Sequence, residues 1–215
     1  IPPRHAYLGP EFSENKILSA LINTSSSTIE WERLENIEKE IAKLLHLGHI
    51  VGRFNGRLEW GPRALGNRSI LVNPTDKSIN NSLNDRLSRS EFMPFAPSVL
   101  DYRAKDYFEG YKKEHFGSEF MTMTYSVFPK MQKDIEAVVH VDGTARPQVV
   151  RKEINPSYYE ILKEYEKLSG IGVVVNTSFN IHEEPIVAMP EDAIKALFEN
   201  AIDVLAIGNF IVQRK

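Results

Sequence analysis

The stretch GVVVNTSFN, residues 172–180, constrains the fold more than any other part of this chain. An unbroken valine run has no polar face to offer water, so it reads as a buried strand that ends in a polar tip. Helical spacing lies on both sides of it. After Asn155-Pro156, residues 156–168 place Tyr158, Ile161, Leu162, Tyr165 and Leu168 on one inward face, and Pro190-Glu191-Asp192 opens the last helix. Further strand-like stretches occur at IVGRF (50–54), SILV (69–72), FAPSVL (95–100), MTMTYSVF (121–128) and DVLAIGNFIVQ near the end. AVVHVDGTARPQVV carries a turn at Asp142-Gly143 between two strands. Strands alternating with helices predict an α/β domain around a mixed sheet.

The first half is read in the same way. From Thr28 the residues Ile29, Leu34, Ile37, Ile41, Leu44 and Leu45 recur at helical spacing, and Gly48 fits the position just past the helix end. Asp76 caps a helix through about Leu87, and short helices are expected within 101–118 and 130–137. Residues 1–27, with Pro2, Pro3, Pro10 and a serine run, read as an interdomain linker or extension carrying a short helix near Phe12–Asn23. The globular domain is then 28–215.

Composition removes several function classes. The net charge of −3 argues against binding nucleic acid over the whole surface, although a local basic pocket remains open. The absence of cysteine excludes disulfides, thiolate metal sites and thiol nucleophiles. No apolar run is long enough to span a membrane, and the first residues resemble neither a signal nor a transit peptide, so a cytoplasmic location is the default. A proline-rich start without methionine is expected of a fragment cut at a linker.

The residues 52–71, GRFNGRLEWGPRALGNRSIL, interleave glycine and arginine at Gly52-Arg53, Gly56-Arg57, Gly61-Pro62-Arg63 and Gly66-Asn67-Arg68, with Glu59 as the one acid. Glycine lets backbone N–H groups approach a ligand, and arginine offers a donor fork that matches phosphate or carboxylate oxygens. The stretch is therefore either an anion cradle or a solvated loop; no P-loop motif is present. Arg89 and Arg146 extend the basic set, and Arg146, in DGTARPQ, either meets an anion or pairs with an acid across a hairpin. The tip NTSFN lies where ligands of open α/β sheets bind, unless Thr177 and Asn180 only close the turn. His46 and His49 form H-x-x-H without a third ligand nearby, His140 precedes Asp142, and His182 follows the tip; none defines a metal site or a catalytic triad.

Taken together and in order, GRFNGRLEWGPRALGNRSIL, EFMPFAPSVL, HVDGTARPQVV and NTSFNIHEEPIV resemble the C-terminal domain of the NodU/CmcH-type O-carbamoyltransferases, across residues 51–188. The resemblance implies a YrdC-like domain, a twisted mixed sheet flanked by helices. It implies ATP and carbamoyl phosphate as substrates, with Mg²⁺ arriving with ATP and no metal site on the protein. The product would be carbamoyl-adenylate, whose carbamoyl group passes to a hydroxyl in a separate N-terminal domain of the same protein. Arg57, Arg63, Arg68 and Arg146 would surround the phosphates and carbamoyl group. Thr177, Ser178 and Asn180, with Ser98 and Arg89, would contact the nucleotide. Two positions depart from the family pattern: Met93 stands where many relatives carry arginine, and Glu183 where they often carry glycine. The other expectation is a YrdC-like module binding RNA or a nucleotide without carbamoyl activation; the acidic balance and the lack of RGG-type repeats count against RNA.

Overall fold

The computed structural model describes residues 4–24, 28–87, 95–180 and 184–215. Among these, the strands are β1 (Ile29–Arg33), β2 (Val51–Phe54), β3 (Arg68–Val72), β4 (Ala96–Leu100), β5 (Tyr125–Ser126), β6 (Thr144–Ala145), β7 (Gln148–Val150), β8 (Val173–Ser178), β9 (Val204–Ile207) and β10 (Phe210–Arg214). The helices are α1 (Glu14–Thr24), α2 (Ile37–His46), α3 (Ile79–Arg86), α4 (Ala104–Tyr107), α5 (Pro129–Gln132), α6 (Pro156–Ser169) and α7 (Pro190–Phe198). Eight strands make one mixed sheet in the order β1-β10-β9-β2-β3-β8-β4-β7, and β5 pairs with β6 apart from it. The β9–β2 and β4–β7 pairs are parallel and the other pairs of the large sheet are antiparallel. The expected α/β architecture, a mixed sheet flanked by helices, is the one found.

The valine run explains itself in this setting. β8 lies inside the sheet between β3 and β4, so alternate side chains meet two different cores. Val174 packs in the core built with α2 and α6, beside Ile41, Leu45, Tyr158 and Ile161. Val173 and Val175 face the opposite core, which contains Ile17 and Leu21 of α1 with Ala193, Ile194 and Leu197 of α7. Helices on both faces leave no room for a polar residue until the strand ends.

Several local expectations change. Residues 29–33 form an edge strand rather than the start of a helix: β1 pairs antiparallel with β10, from Ile29↔Arg214 to Arg33↔Phe210. Ile29 alone in β1 is buried, and Trp31 stands edge-on to Phe210 with ring centroids 5.6 Å apart. The β-branched and aromatic residues of this segment suit a pleated edge, and the free edge of β10 supplies the partner that a local reading lacks. The helix begins only at Ile37 and ends before Gly48, whose φ of 89° is the left-handed one expected there.

MTMTYSVF yields a strand over Tyr125–Ser126 only, because β6 offers it just two pairing residues. The Asp142-Gly143 turn is present, but 137–141 do not form the first arm of a hairpin; β6 pairs with β5 instead. Leu168, expected inward, is 48% exposed in the last turn of α6. Asp76 does not cap α3 itself; its carboxylate accepts from Ser78 N at 2.8 Å, and the helix starts one residue later. The described part of 1–27 is packed on the domain through Ile17, Ala20 and Leu21. No helix among the described residues is long and apolar enough to cross a membrane.

Candidate functional site

Between β2 and β3 the Gly/Arg stretch folds back on itself, and Glu59 organises the fold. Its Oε1 accepts from the backbone N–H groups of Leu65 and Asn67 at 2.7 Å and of Arg68 at 3.3 Å. Gly66 N donates to Ser69 Oγ at 2.9 Å. The N–H groups of residues 65–68 are therefore satisfied internally, and residues 60–64 project as a closed loop that carries Arg63. Gly66 has φ 112°, and a Cβ there would come within 2.3 Å of Tyr158 Cδ1, so only glycine lets the loop lie against α6.

A buried polar ladder pins this loop from below. Asn176 Nδ2 donates to Ala64 O (3.2 Å), Ser98 Oγ (3.0 Å) and Gln148 Oε1 (2.9 Å), and Ser98 Oγ donates to Gln148 Oε1 at 2.8 Å. Gln148 Nε2 donates to Leu65 O at 2.7 Å, and Tyr7 Oη donates to the same carbonyl at 2.8 Å. Gln148 stands two residues after Arg146, and Leu65 two residues after Arg63. This one hydrogen bond ties together the two backbones that carry those arginines.

The charge of Arg63 is felt at Arg146. Burial lowers the pKa of Arg146, and the nearby charge of Arg63 lowers it further; no acid opposes either effect. Other arginines behave differently. Arg33 meets Glu14 at 2.9 Å, Arg86 meets Asp203 at 2.6 Å, Arg103 meets Glu166 at 3.2 Å and Arg151 meets Glu119 at 2.6 Å. Among the described residues Arg63 and Arg146 have no carboxylate partner within ion-pair distance. Two half-buried like charges without a counter-ion repel each other, and an anion placed between them removes the repulsion. His140 lies beside this pair. Its Nδ1 is 3.0 Å from Thr144 Oγ1, and burial lowers its pKa, Asp142 opposing and Arg146 reinforcing the shift.

The remaining candidates lie elsewhere or are engaged. Arg68 is fully buried and donates to the carbonyls of Asn55 (2.8 Å), Asn67 (2.9 Å) and Gly56 (3.1 Å). Arg57 is exposed and donates to Leu8 O at 3.0 Å. Ser98 belongs to the ladder beneath the loop. Thr177 is buried and alternates with Asn176 to the opposite face of β8. Ser178 Oγ donates to Asn180 Oδ1 at 2.6 Å and Asn180 Nδ2 donates to Glu184 O at 3.0 Å, so these two close the turn after β8. Arg89, Met93, His182 and Glu183 lie outside the described residues.

Five residues of the site were given no role from the sequence. Arg53, 2% exposed, donates to Gly66 O, to Asn67 Oδ1 at 3.1 Å and to Ser157 Oγ at 2.7 Å, and Ser157 Oγ in turn donates to Glu38 Oε1 at 2.6 Å. Asn155 caps α6 by accepting from Tyr158 N and donates to Asn67 Oδ1 at 3.0 Å. Glu59, Gln148 and Asn176 complete the group. Their signals were modest: a lone charge inside IVGRF, a lone acid among arginines, and the first polar residue after a valine run. Among the described residues no group of three or more His, Asp or Glu could hold a metal ion.

The comparisons with known proteins identify the family. The family model described as carbamoyltransferase C-terminus matches residues 42–214. An uncharacterized protein of Methanocaldococcus jannaschii is 37% identical over 213 residues, covering 97% of this chain and 34% of that protein. The nodulation protein NolNO of Sinorhizobium fredii is 34% identical over 214 residues, covering 99% of this chain and 31% of that protein. The chain thus spans about a third of the length of the curated relatives it matches. The crystal structure of full-length HypF in the phosphate- and nucleotide-bound form aligns with a TM-score of 0.55 at 23% identity, over 80% of this chain and 25% of HypF, which shows a shared fold. This chain belongs to the carbamoyltransferase C-terminus family.

Proposed function

We propose that this chain binds ATP and carbamoyl phosphate and forms carbamoyl-adenylate, which an N-terminal domain of a longer protein transfers to a substrate hydroxyl. The observation that carries the reading is that the charge of Arg63 acts on Arg146 with no acid partner to oppose it, on backbones tied through Gln148 and Leu65. Bringing two polyanions together costs electrostatic energy, and fixed cations in a half-buried setting offset that cost. In the reaction, water first cleaves carbamoyl phosphate to carbamate and inorganic phosphate; a carbamate oxygen then forms a bond to the α-phosphorus of ATP as the bond to the β-phosphate bridging oxygen breaks, and pyrophosphate leaves. Charge accumulates on the departing pyrophosphate. The arginine pair would stabilise it there without reorganising, since the ladder already holds both backbones in place. Mg²⁺ would come with the nucleotide. Family membership and the threefold greater length of the relatives support the division of labour with another domain.

The test is pyrophosphate release from ATP that depends on carbamoyl phosphate. Arg63→Ala and Arg146→Ala are each expected to lower the rate about 10²–10³-fold, the size of effect seen when one preorganised donor is removed. Arg57→Ala, at an exposed residue bonded to Leu8, is expected to stay within about twofold. Absence of carbamoyl-phosphate-dependent release in both this chain and the longer protein, or unchanged rates in both alanine variants, would overturn the proposal.

A further inference from the structure

Glu59 is 4% exposed, and its Oε2 is buried without a hydrogen-bond partner while Oε1 accepts three backbone N–H bonds. Successive N–H groups converging on one anionic oxygen are what phosphate-binding loops use to hold a ligand. Here the chain fills that nest with its own carboxylate. The same charge counters two buried guanidinium groups, Arg53 and Arg68, neither of which is hydrogen-bonded to a carboxylate.

We propose that Glu59 is a resident anion and a positioning residue: its carboxylate occupies the backbone nest of residues 65–68 and holds the loop bearing Arg63 against Arg146. Residues 60–64 are closed at their base by the Glu59–Leu65 bond at 2.7 Å. Without it the loop keeps the ties on the Ala64, Leu65 and Gly66 carbonyls and the Trp60 and Gly66 N–H groups, which leave the Asn67 and Arg68 N–H groups buried and unpaired. An external phosphate is thereby directed to the arginine side chains and away from the backbone. The identity of that external ligand rests on the function proposed above; the nest and its occupant do not.

The experiment uses amide hydrogen exchange by NMR on this chain. In Glu59→Ala, the amides of Leu65, Asn67 and Arg68 are expected to exchange at least about tenfold faster, with β8 amides unchanged as a check on folding. Added formate, which can refill the nest, is expected to restore protection at those three amides in a saturable way. It is also expected to restore an affinity for ATP that falls about tenfold in the variant. Formate should not rescue Arg63→Ala. If Glu59→Ala does not fold, Glu59→Gln keeps an oxygen in the nest without the charge, and intermediate exchange at the same amides is expected. Unchanged exchange in either variant, or no formate effect on the three amides of Glu59→Ala, would overturn the proposal. Formate-rescued amides in a protein whose wild type binds no ATP would support the nest and count against the ligand assignment alone.

Discussion

The guanidinium of Arg68 lies 3.6 Å from the centroid of the Phe54 ring and is turned toward three carbonyls of its own loop. Burial pushes its pKa down to about 10, against the opposing charge of Glu59. Arg63, five residues earlier, meets no partner of this kind, so two arginines of one short stretch carry opposite expectations. Arg68→Met would leave the Asn55 and Gly56 carbonyls without their guanidinium donors, and a loss of about 3 kcal/mol is expected in urea unfolding. Arg63→Ala should change stability by less than about 0.5 kcal/mol and act on anion binding instead. His140 adds a dependence on pH. Its folded pKa lies below the ordinary 6.5, so the unfolded chain takes up the proton first as pH falls. Stability is fully present above about 6.5 and declines as pH drops from there to the folded value; His140→Asn should flatten that part of a stability–pH curve measured by thermal melting.

At the scale of elements, what was legible depended on where each segment's partner lies. β8, α6 and α7 could be read locally, because an unbroken valine run and a helical face state their burial without reference to anything distant. β1 could not. Its helical spacing was a coincidence of Ile29, Leu34 and Ile37, and the partner that makes it a strand is β10, at the far end of the chain. The site divides in the same way. The Gly/Arg stretch, Arg146 and the NTSFN tip were legible as polar motifs in strand context. Which of their groups meet was not, because the answer depends on strand alternation across β4, β7 and β8. Asn176 turns toward Ser98 and Gln148, while its neighbour Thr177 turns to the other face. The bare backbone that suggested a cradle at residues 65–68 is filled by Glu59, a contact fixed only when the loop closes.

For the whole molecule, the N-terminal segment is tied in along much of its described length. α1 buries Ile17, Ala20 and Leu21 in the core shared with α7, and Tyr7 donates to Leu65 O beneath the arginine loop. Burial of apolar side chains at about 1.5–3 kcal/mol each makes this docking a large share of a typical domain's stability. A chain beginning at residue 28 is therefore expected to melt at least about 10 °C lower by calorimetry. It should also bind ATP more weakly, because one of the two ties on Leu65 O is gone. An unchanged melting temperature would show that the segment contributes nothing to the domain. By itself the sequence determined the α/β class, the buried central strand and the cationic character of the 52–71 stretch, since these follow from local apolar runs and residue chemistry. Only the tertiary structure decided that Arg63 and Arg146 share one electrostatic neighbourhood while Arg68 is spent on carbonyls. The first rests on a hydrogen bond between residues 83 positions apart and the second on carbonyls that Arg68 meets only once its own loop has closed, neither of which a local residue pattern encodes.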